Sequence, residues 1–291
     1  MEEEKKEKKE ENKKKKKILN IIVLLIAIAS LITMIYSIYN IYKWKIDNDK
    51  TKKQLESIEE KIDVVEKQDD DNTEVIEQVE EIPKSNPYWD YIYMPLIDVD
   101  FSELKALNAD TVGWIKVEGT IINYPFVQSK DNNYYLRRSY DKTYNTGGWI
   151  FLDYRNNINN LGRNNIIYGH DRKDDSMFGS LSNIYTKSWQ NNKNNHIIKI
   201  STPKENTMWQ IFSIYHLPAT NDYIRTNFGS DNDFQNFLNL ISNRTMFNFG
   251  TKATVNDKIL TLSTCYGSSG KERTVVHAKL IKREIKNTST N

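Results

Sequence analysis

Lys258-Ile-Leu-Thr-Leu-Ser-Thr264 leads into Cys265, the loop Tyr266-Gly-Ser-Ser-Gly-Lys-Glu272 follows, and Arg273-Thr-Val-Val-His-Ala-Lys-Leu-Ile281 leads away. The outer runs are rich in β-branched and aliphatic residues, and the stretch between them is Gly and Ser. That pattern predicts strand, flexible loop, strand. Cys265 then stands at a strand end and Arg273 ends the loop before the next run, Thr274–Ile281, so both can face one cleft. Cys265 is the only cysteine in 291 residues. A free cysteine is often a small buried core residue. Three features argue for chemistry instead: the strand-end position, a following cation that would favour a thiolate or an oxyanion, and a histidine at a similar strand end in Ile166-Ile-Tyr-Gly-His170.

A cysteine nucleophile needs a proton acceptor and a way to stabilise the tetrahedral oxyanion. The chain has four histidines. His170 follows a strand and precedes a polar loop, which suits exposure at a cleft. His216 lies at a strand end beside Leu217-Pro218 and is the second candidate. His196 opens a strand within an Asn/Lys-rich turn and is expected to be solvated. His277 lies inside the strand after Arg273 and is expected to be structural. The residues alone leave His170 and His216 both open.

Outward from this unit, β-type runs recur at Trp114–Val117, Ile121–Val127, Gly148–Tyr154, Asn164–Gly169, His196–Thr202, Met208–Leu217, Lys258–Thr264 and Thr274–Arg283. Gly, Asn, Asp and Pro bound them. Eight short strands without regular helix alternation predict a mainly β fold, a closed eight-stranded barrel with short peripheral helices. Helices are expected at Ser102–Leu107, near Met177–Trp189, and over Asp231–Asn243, where Phe234, Phe237, Leu238 and Ile241 share one face.

The N-terminal third divides by composition. Residues 1–17 are almost wholly Glu and Lys and are expected to be a disordered cytoplasmic tail. Residues 18–42 are apolar and long enough to cross a bilayer as a helix, with Tyr36, Tyr39, Tyr42 and Trp44 at the far end as interfacial aromatics. The length of this run and the lack of an Ala-x-Ala site favour an uncleaved anchor over a signal peptide. Lys13 to Lys17 place the N-terminus inside and the remainder outside. Residues 43–85 are charged and read as a stalk, in which Leu55, Ile58, Ile62 and Val65 form a short 3-4-3 stripe. Two heptads are too few for a stable coiled coil. Asp69 to Asp71, Pro83 and Pro87 end the spacer, and residues 86–291 are expected to form the catalytic domain, as a monomer.

The formal net charge of +2 gives no reason to expect a nucleic-acid partner. One cysteine and four scattered histidines offer no metal-ligand spacing, and no cofactor or metal is expected. The order His, Cys, Arg argues against papain-like enzymes, in which Cys precedes His.

Thr261-Leu-Ser-Thr-Cys265 with Arg273 resembles the sortase signature, and the chain over about residues 100–283 resembles a class B sortase. Further stretches carry the likeness: Asn108-Ala-Asp-Thr-Val-Gly-Trp-Ile115, Tyr124-Pro-Phe-Val-Gln128, Asp131-Asn-Asn-Tyr-Tyr-Leu136, Phe151-Leu-Asp-Tyr-Arg-Asn156, Tyr168-Gly-His170 and Ser176-Met-Phe-Gly179. The resemblance implies a membrane-anchored, extracellular cysteine transpeptidase of a Gram-positive bacterium. It selects His170 as acid/base beside the nucleophile Cys265, with Arg273 binding substrate or oxyanion. It implies substrate contacts at Asn132, Leu136 and Ser263, and a helix beside the substrate groove between the sixth and seventh barrel strands. The partners it implies are surface proteins with a C-terminal sorting signal, Asn-Pro-x-Thr-Asn-like or Ser/Asn-Pro-x-Thr-Gly-like, and an amine of a lipid II-type peptidoglycan precursor. A cell-wall cysteine hydrolase and a pilin-polymerising sortase are the alternatives. Tyr266 departs from the acidic residue that some class B members carry after the cysteine, which leaves substrate preference open.

Overall fold

The computed structural model describes residues 1–76, 86–265 and 272–286, with Cys265 described through its backbone. The chain divides into two units, Met1–Lys50 and Thr51–Asn291.

The first unit is helical. It belongs to α1 (Glu2–Glu59), which is long and apolar enough to cross a membrane. The charged head, expected to be disordered, is helical from Glu2. Glu and Lys are strong helix formers, Glu2, Glu3 and Glu4 oppose the helix dipole, and Glu11 pairs with Lys15 one turn on at 2.7 Å. In the apolar part, the Thr33 and Ser37 hydroxyls donate to the Ser30 and Thr33 carbonyls at 2.8 Å each. Polar groups satisfied within the helix in this way are compatible with lipid.

The second unit is built on a barrel. Three short strands precede it: β1 (Val64–Lys67), β2 (Thr73–Val75) and β3 (Leu96–Val99), with the turn of helix α2 (Tyr88–Tyr91) between the last two. After α3 (Ser102–Leu107) come β4 (Thr111–Val117), β5 (Asn123–Gln128), β6 (Phe151–Leu152), β7 (Asn164–His170), β8 (Ile197–Ser201), β9 (Glu205–Pro218), β10 (Ile259–Cys265) and β11 (Glu272–Ile285). Neighbours run β10-β7-β6-β5-β4-β8-β9-β11, and β11 pairs back onto β10. The eight strands from β4 to β11 therefore close into the expected barrel. Closure removes the open edges that would otherwise invite aggregation.

Strand β10 shows why closure is stable. Leu260 and Leu262 face the main core with Val276, Ala278 and Leu280 of β11. Ile259 and Val275 face a second cluster with Phe212, Tyr215 and Tyr223. Strands covered on both faces read as nearly continuous apolar runs, and the period of two assigns each residue to its layer. The second cluster is roofed by α5 (Asp231–Asn243), which buries Phe234, Phe237, Leu238 and Ile241. Ser230 caps it by accepting from Asp233 N at 3.1 Å. The helix expected near Met177–Trp189 is a 3₁₀ segment, Gly179–Tyr185, followed by the short α4 (Lys187–Asn191) with Thr186 as its cap.

The charged stretch before residue 86 differs from a free stalk. Ile58 and Ile62 are buried in the barrel's main core and Leu55 packs against it. Strand β1 pairs with β3, and β2 pairs with the far end of β11. Lys282, with its side chain fully buried, holds its ammonium between the Ile92 and Met94 carbonyls at 2.7 and 2.9 Å and Asp69 at 2.5 Å. The 3-4-3 stripe is thus a docking face rather than a solvated one, and Val65 alone of the four is exposed. An apolar stripe of that kind gains more from an adjacent core than from water.

Candidate active site

Three adjacent strands end together. Strand β10 runs parallel to β7, and the register pairs Ser263 with Tyr168, Thr264 with Gly169, and Cys265 with His170. On its other side β10 runs antiparallel to β11, with Ser263 opposite Val275. Two residues further along that register stand Cys265 and Arg273. The candidate nucleophile thus lies on the middle strand, with the candidate acid/base and the candidate guanidinium on its two neighbours. Residues 95 and 8 positions away in sequence meet at one barrel end because β10 is the strand at which the barrel closes.

His170 is half-buried and its Nε2 lies 2.7 Å from the Leu136 carbonyl. A carbonyl only accepts, so Nε2 carries the hydrogen and Nδ1 is the nitrogen that can exchange a proton. Burial disfavours the imidazolium and lowers the His170 pKa; the Leu136 bond opposes this, and the charges of Arg172, Arg137 and Arg273 add to the lowering. Arg273 is half-buried, and its Nη1 donates to the Thr264 carbonyl at 2.8 Å. The guanidinium is therefore tied to the residue just before Cys265. Thr264 Oγ1 also accepts from Thr274 N at 2.9 Å, locking the two strands at this end.

Beneath the site runs a buried polar chain. Tyr215 O–H donates to His277 Nε2 at 2.7 Å, and His277 Nδ1–H donates to Thr261 Oγ1 at 2.9 Å. Thr261 passes its hydrogen to Asn164 Oδ1 at 2.7 Å. Every member is satisfied, which rigidifies β10 below Cys265. His277 is wholly buried, and desolvation first, then the charge of Arg244, pushes its pKa down to about 3. It is structural, as its mid-strand position implied.

The other sequence-derived positions fare differently. Leu136 brings a backbone carbonyl to His170, and its side chain packs partly against the core. Asn132 spends its side-chain amide on two ties: Nδ2 donates to Asp153 Oδ2 at 3.0 Å, and Oδ1 accepts from Tyr154 N at 3.0 Å. Asp153 is fully buried; burial alone would raise its pKa, but the fork of Arg155 and the Asn132 amide hold it below the ordinary carboxylate range. Ser263 does not line an open groove: it is buried, and its hydroxyl meets Tyr223 Oη at 3.0 Å. The alternation of β10 turns it toward the cluster under α5. His216 is exposed at the end of β9, its ring edge-on to Tyr185 at 5.4 Å. His196 is buried, not solvated, among Trp189, Phe247 and Phe249, with Nε2 donating to the Gln190 carbonyl at 2.9 Å. Tyr266 and the Gly267 to Gly270 loop, and Pro83 with its neighbours, lie outside the described residues.

Sequence reasoning passed over Tyr223 and Gly148. Gly148 (φ +57°) lies against the His170 ring, and the Gly-Gly pair before Trp149 was the available signal.

Comparison with known proteins bears on the family to which this barrel belongs. The sortase domain family matches residues 115–281. Sortase B of Staphylococcus aureus is 39% identical over 184 residues, 62% of this chain and 75% of the relative. A solved S. aureus sortase B–substrate complex superposes with TM-score 0.59 at 38% identity, covering 62% of this chain and 84% of that one. The sortase B of B. anthracis in complex with AAEK1 gives TM-score 0.62 at 35% identity, over 81% of this chain and 99% of that one.

Proposed function

The chain belongs to the sortase family, as a cysteine transpeptidase of the sortase B kind, and from that premise we propose that Cys265, His170 and Arg273 carry its reaction. The register of β10 with β7 and β11 is the observation that supports this most. The Cys265 thiolate attacks the carbonyl carbon of the Thr in the sorting signal of a client surface protein. The tetrahedral oxyanion forms beside Arg273, whose guanidinium keeps its charge and offers a fixed fork. The C–N bond then breaks. His170, as imidazolium, gives a proton to the leaving amine, and the acyl group remains on Cys265 as a thioester. An acceptor amine of a peptidoglycan precursor attacks that thioester, His170 takes its proton, and the thiolate departs.

The Leu136 bond supports Nδ1 as the working nitrogen. With Nε2 committed to the carbonyl, the proton passes through Nδ1 in both half-reactions. With an ordinary value of about 6.5 for histidine, and with His170 shifted further down, the imidazolium that the first half-reaction needs is a minority form near pH 7.

We further propose that residues 18–42 anchor the chain with its N-terminus in the cytoplasm and the barrel outside. The preferred signal is Asn-Pro-x-Thr-Asn-like or Ser/Asn-Pro-x-Thr-Gly-like. A panel of fluorogenic peptides of both kinds, with and without an amine acceptor, tests the assignment. Cleavage that yields ligated product in the presence of the amine is expected. Cleavage yielding free acid alone at every amine concentration would favour a hydrolase.

A further inference from the structure

The bond between His170 and Leu136 depends on a third residue. Asn145-Thr-Gly-Gly148 forms a turn, closed by Gly148 N donating to the Asn145 carbonyl at 3.1 Å. Gly148 has φ +57°, where a side chain is disfavoured. Space is a second constraint, and it is more informative. A Cβ on Gly148 would lie 2.6 Å from the Tyr135 carbonyl oxygen, 2.7 Å from that of Leu136 and 2.8 Å from His170 Cδ2. One of these neighbours accepts the bond that holds the imidazole, and another is a carbon of the imidazole ring itself. The bare α-carbon of Gly148 is therefore a wall of the seat in which the ring sits.

The turn is itself anchored. Asn145 is fully buried, and its Oδ1 accepts from Gly147 N at 2.8 Å. Its backbone N donates to the Arg137 carbonyl, and Trp149 N donates to the Tyr135 carbonyl, both at 3.0 Å. The turn is thereby laced along the 3₁₀ segment Tyr134–Arg137 that presents the Leu136 carbonyl. Asn145 Nδ2 donates to Thr51 Oγ1 at 3.0 Å, and Thr51 is buried in the final turns of α1. A continuous set of contacts thus runs from Thr51 through Asn145 and Gly148 to the His170 ring.

We propose that the Asn145–Gly148 turn is a positioning element for His170, and that Thr51 is part of its anchorage, so the end of α1 helps to set the geometry of proton transfer. The inference rests on His170 being the acid/base. Gly148 touches no reacting atom; it acts through the imidazole and the carbonyl that fixes it. Displacement of a reacting group by about 1 Å can cost on the order of 10²-fold in rate, so a Cβ at this position should act mainly on kcat.

The test uses the 291-residue chain in detergent micelles and a sorting-signal peptide, with kcat, KM, their pH profiles and thermal melting measured for Gly148→Ala, Thr51→Val and His170→Ala. Gly148→Ala is expected to lose about 10²-fold in kcat, with KM within about twofold and a displaced acid limb of the kcat profile. Thr51→Val should show a smaller loss of the same kind, with melting retained. Histidine ring ¹⁵N spectra should show the Nε2–H form at His170 in the parent and a changed signal in Gly148→Ala. Parent-like kcat and pH profile in a folded Gly148→Ala, with His170→Ala inactive, would overturn this inference alone. Should Gly148→Ala fail to fold, Thr51→Val decides: lowered kcat at unchanged melting supports the anchorage, and parent kcat overturns it. An active His170→Ala would instead overturn the acid/base assignment on which the inference stands.

Discussion

Arg273 and Lys271 are close in sequence, yet different outcomes are expected when each is changed. Arg273 is bound to the Thr264 carbonyl, so its guanidinium is tied to the residue just before the proposed nucleophile. Lysine supplies the charge without the fork. Arg273→Lys is expected to lower kcat/KM by about 10²–10³, with melting and Cys265 alkylation retained, whereas Lys271→Ala should be nearly silent. Equal, small effects would mean that backbone donors hold the oxyanion. His170 offers a pH test. Arg137 is exposed and its charge lowers the His170 pKa. Arg137→Gln should therefore raise that pKa and move the acid limb of kcat/KM to higher pH, and added salt should shrink the difference. A limb that stays in place would remove Arg137 from the electrostatics of the site. At this scale composition marked the strand boundaries at which Cys265, His170 and Arg273 stand. It misled at His196, where Asn192 to Asn195 advertise solvent but Trp189, Phe247 and Phe249 arrive from elsewhere in the chain to bury the ring.

Among the elements, the eight barrel strands were legible because β-branched runs and Gly/Asn breaks carry the signal, and α5 because its apolar spacing is strict. Strand β6 was read as Gly148–Tyr154 but is only Phe151–Leu152. Gly148 to Ile150 are committed to the turn and to the Tyr135 and Val127 contacts, which no periodicity reports. Truncating Phe237 in α5 to alanine should cost about 3–5 kcal/mol, because it opens the cluster that backs β10. His277 makes a pH prediction. Its folded pKa is depressed to about 3 against an unfolded value of about 6.5. The unfolded chain therefore takes up this proton first, and the contribution, present above about pH 6.5, is lost as pH falls toward 3 at up to about 1.4 kcal/mol per pH unit. Urea melts between pH 7.5 and 4.5 should show this slope, and His277→Gln should flatten it. The same slope in both proteins would mean that the acid sensitivity arises elsewhere.

For the molecule as a whole, the stalk expected over residues 43–85 gives way to a second unit that begins at Thr51. Composition suggested a stalk because charge dominates residues 45–82, yet three apolar residues at the right spacing suffice to dock it. A chain starting at Asn86 would lose Ile58 and Ile62 from the core, worth about 1.5–3 kcal/mol each, and would leave Lys282 without Asp69. A chain starting at Thr51 retains all of these. Denaturant melts should rank the Asn86 start at least about 3 kcal/mol below the Thr51 start; equal midpoints would restore the stalk. The claim on which everything else depends is that Cys265 forms the acyl-enzyme. Intact-mass spectrometry after mixing the protein with a sorting-signal peptide, without amine, tests it most directly. An adduct equal to the peptide's acyl fragment is expected, mapped to Cys265, absent in Cys265→Ala and discharged by added amine. Turnover of the peptide by Cys265→Ala, or an adduct on any other residue, would contradict it.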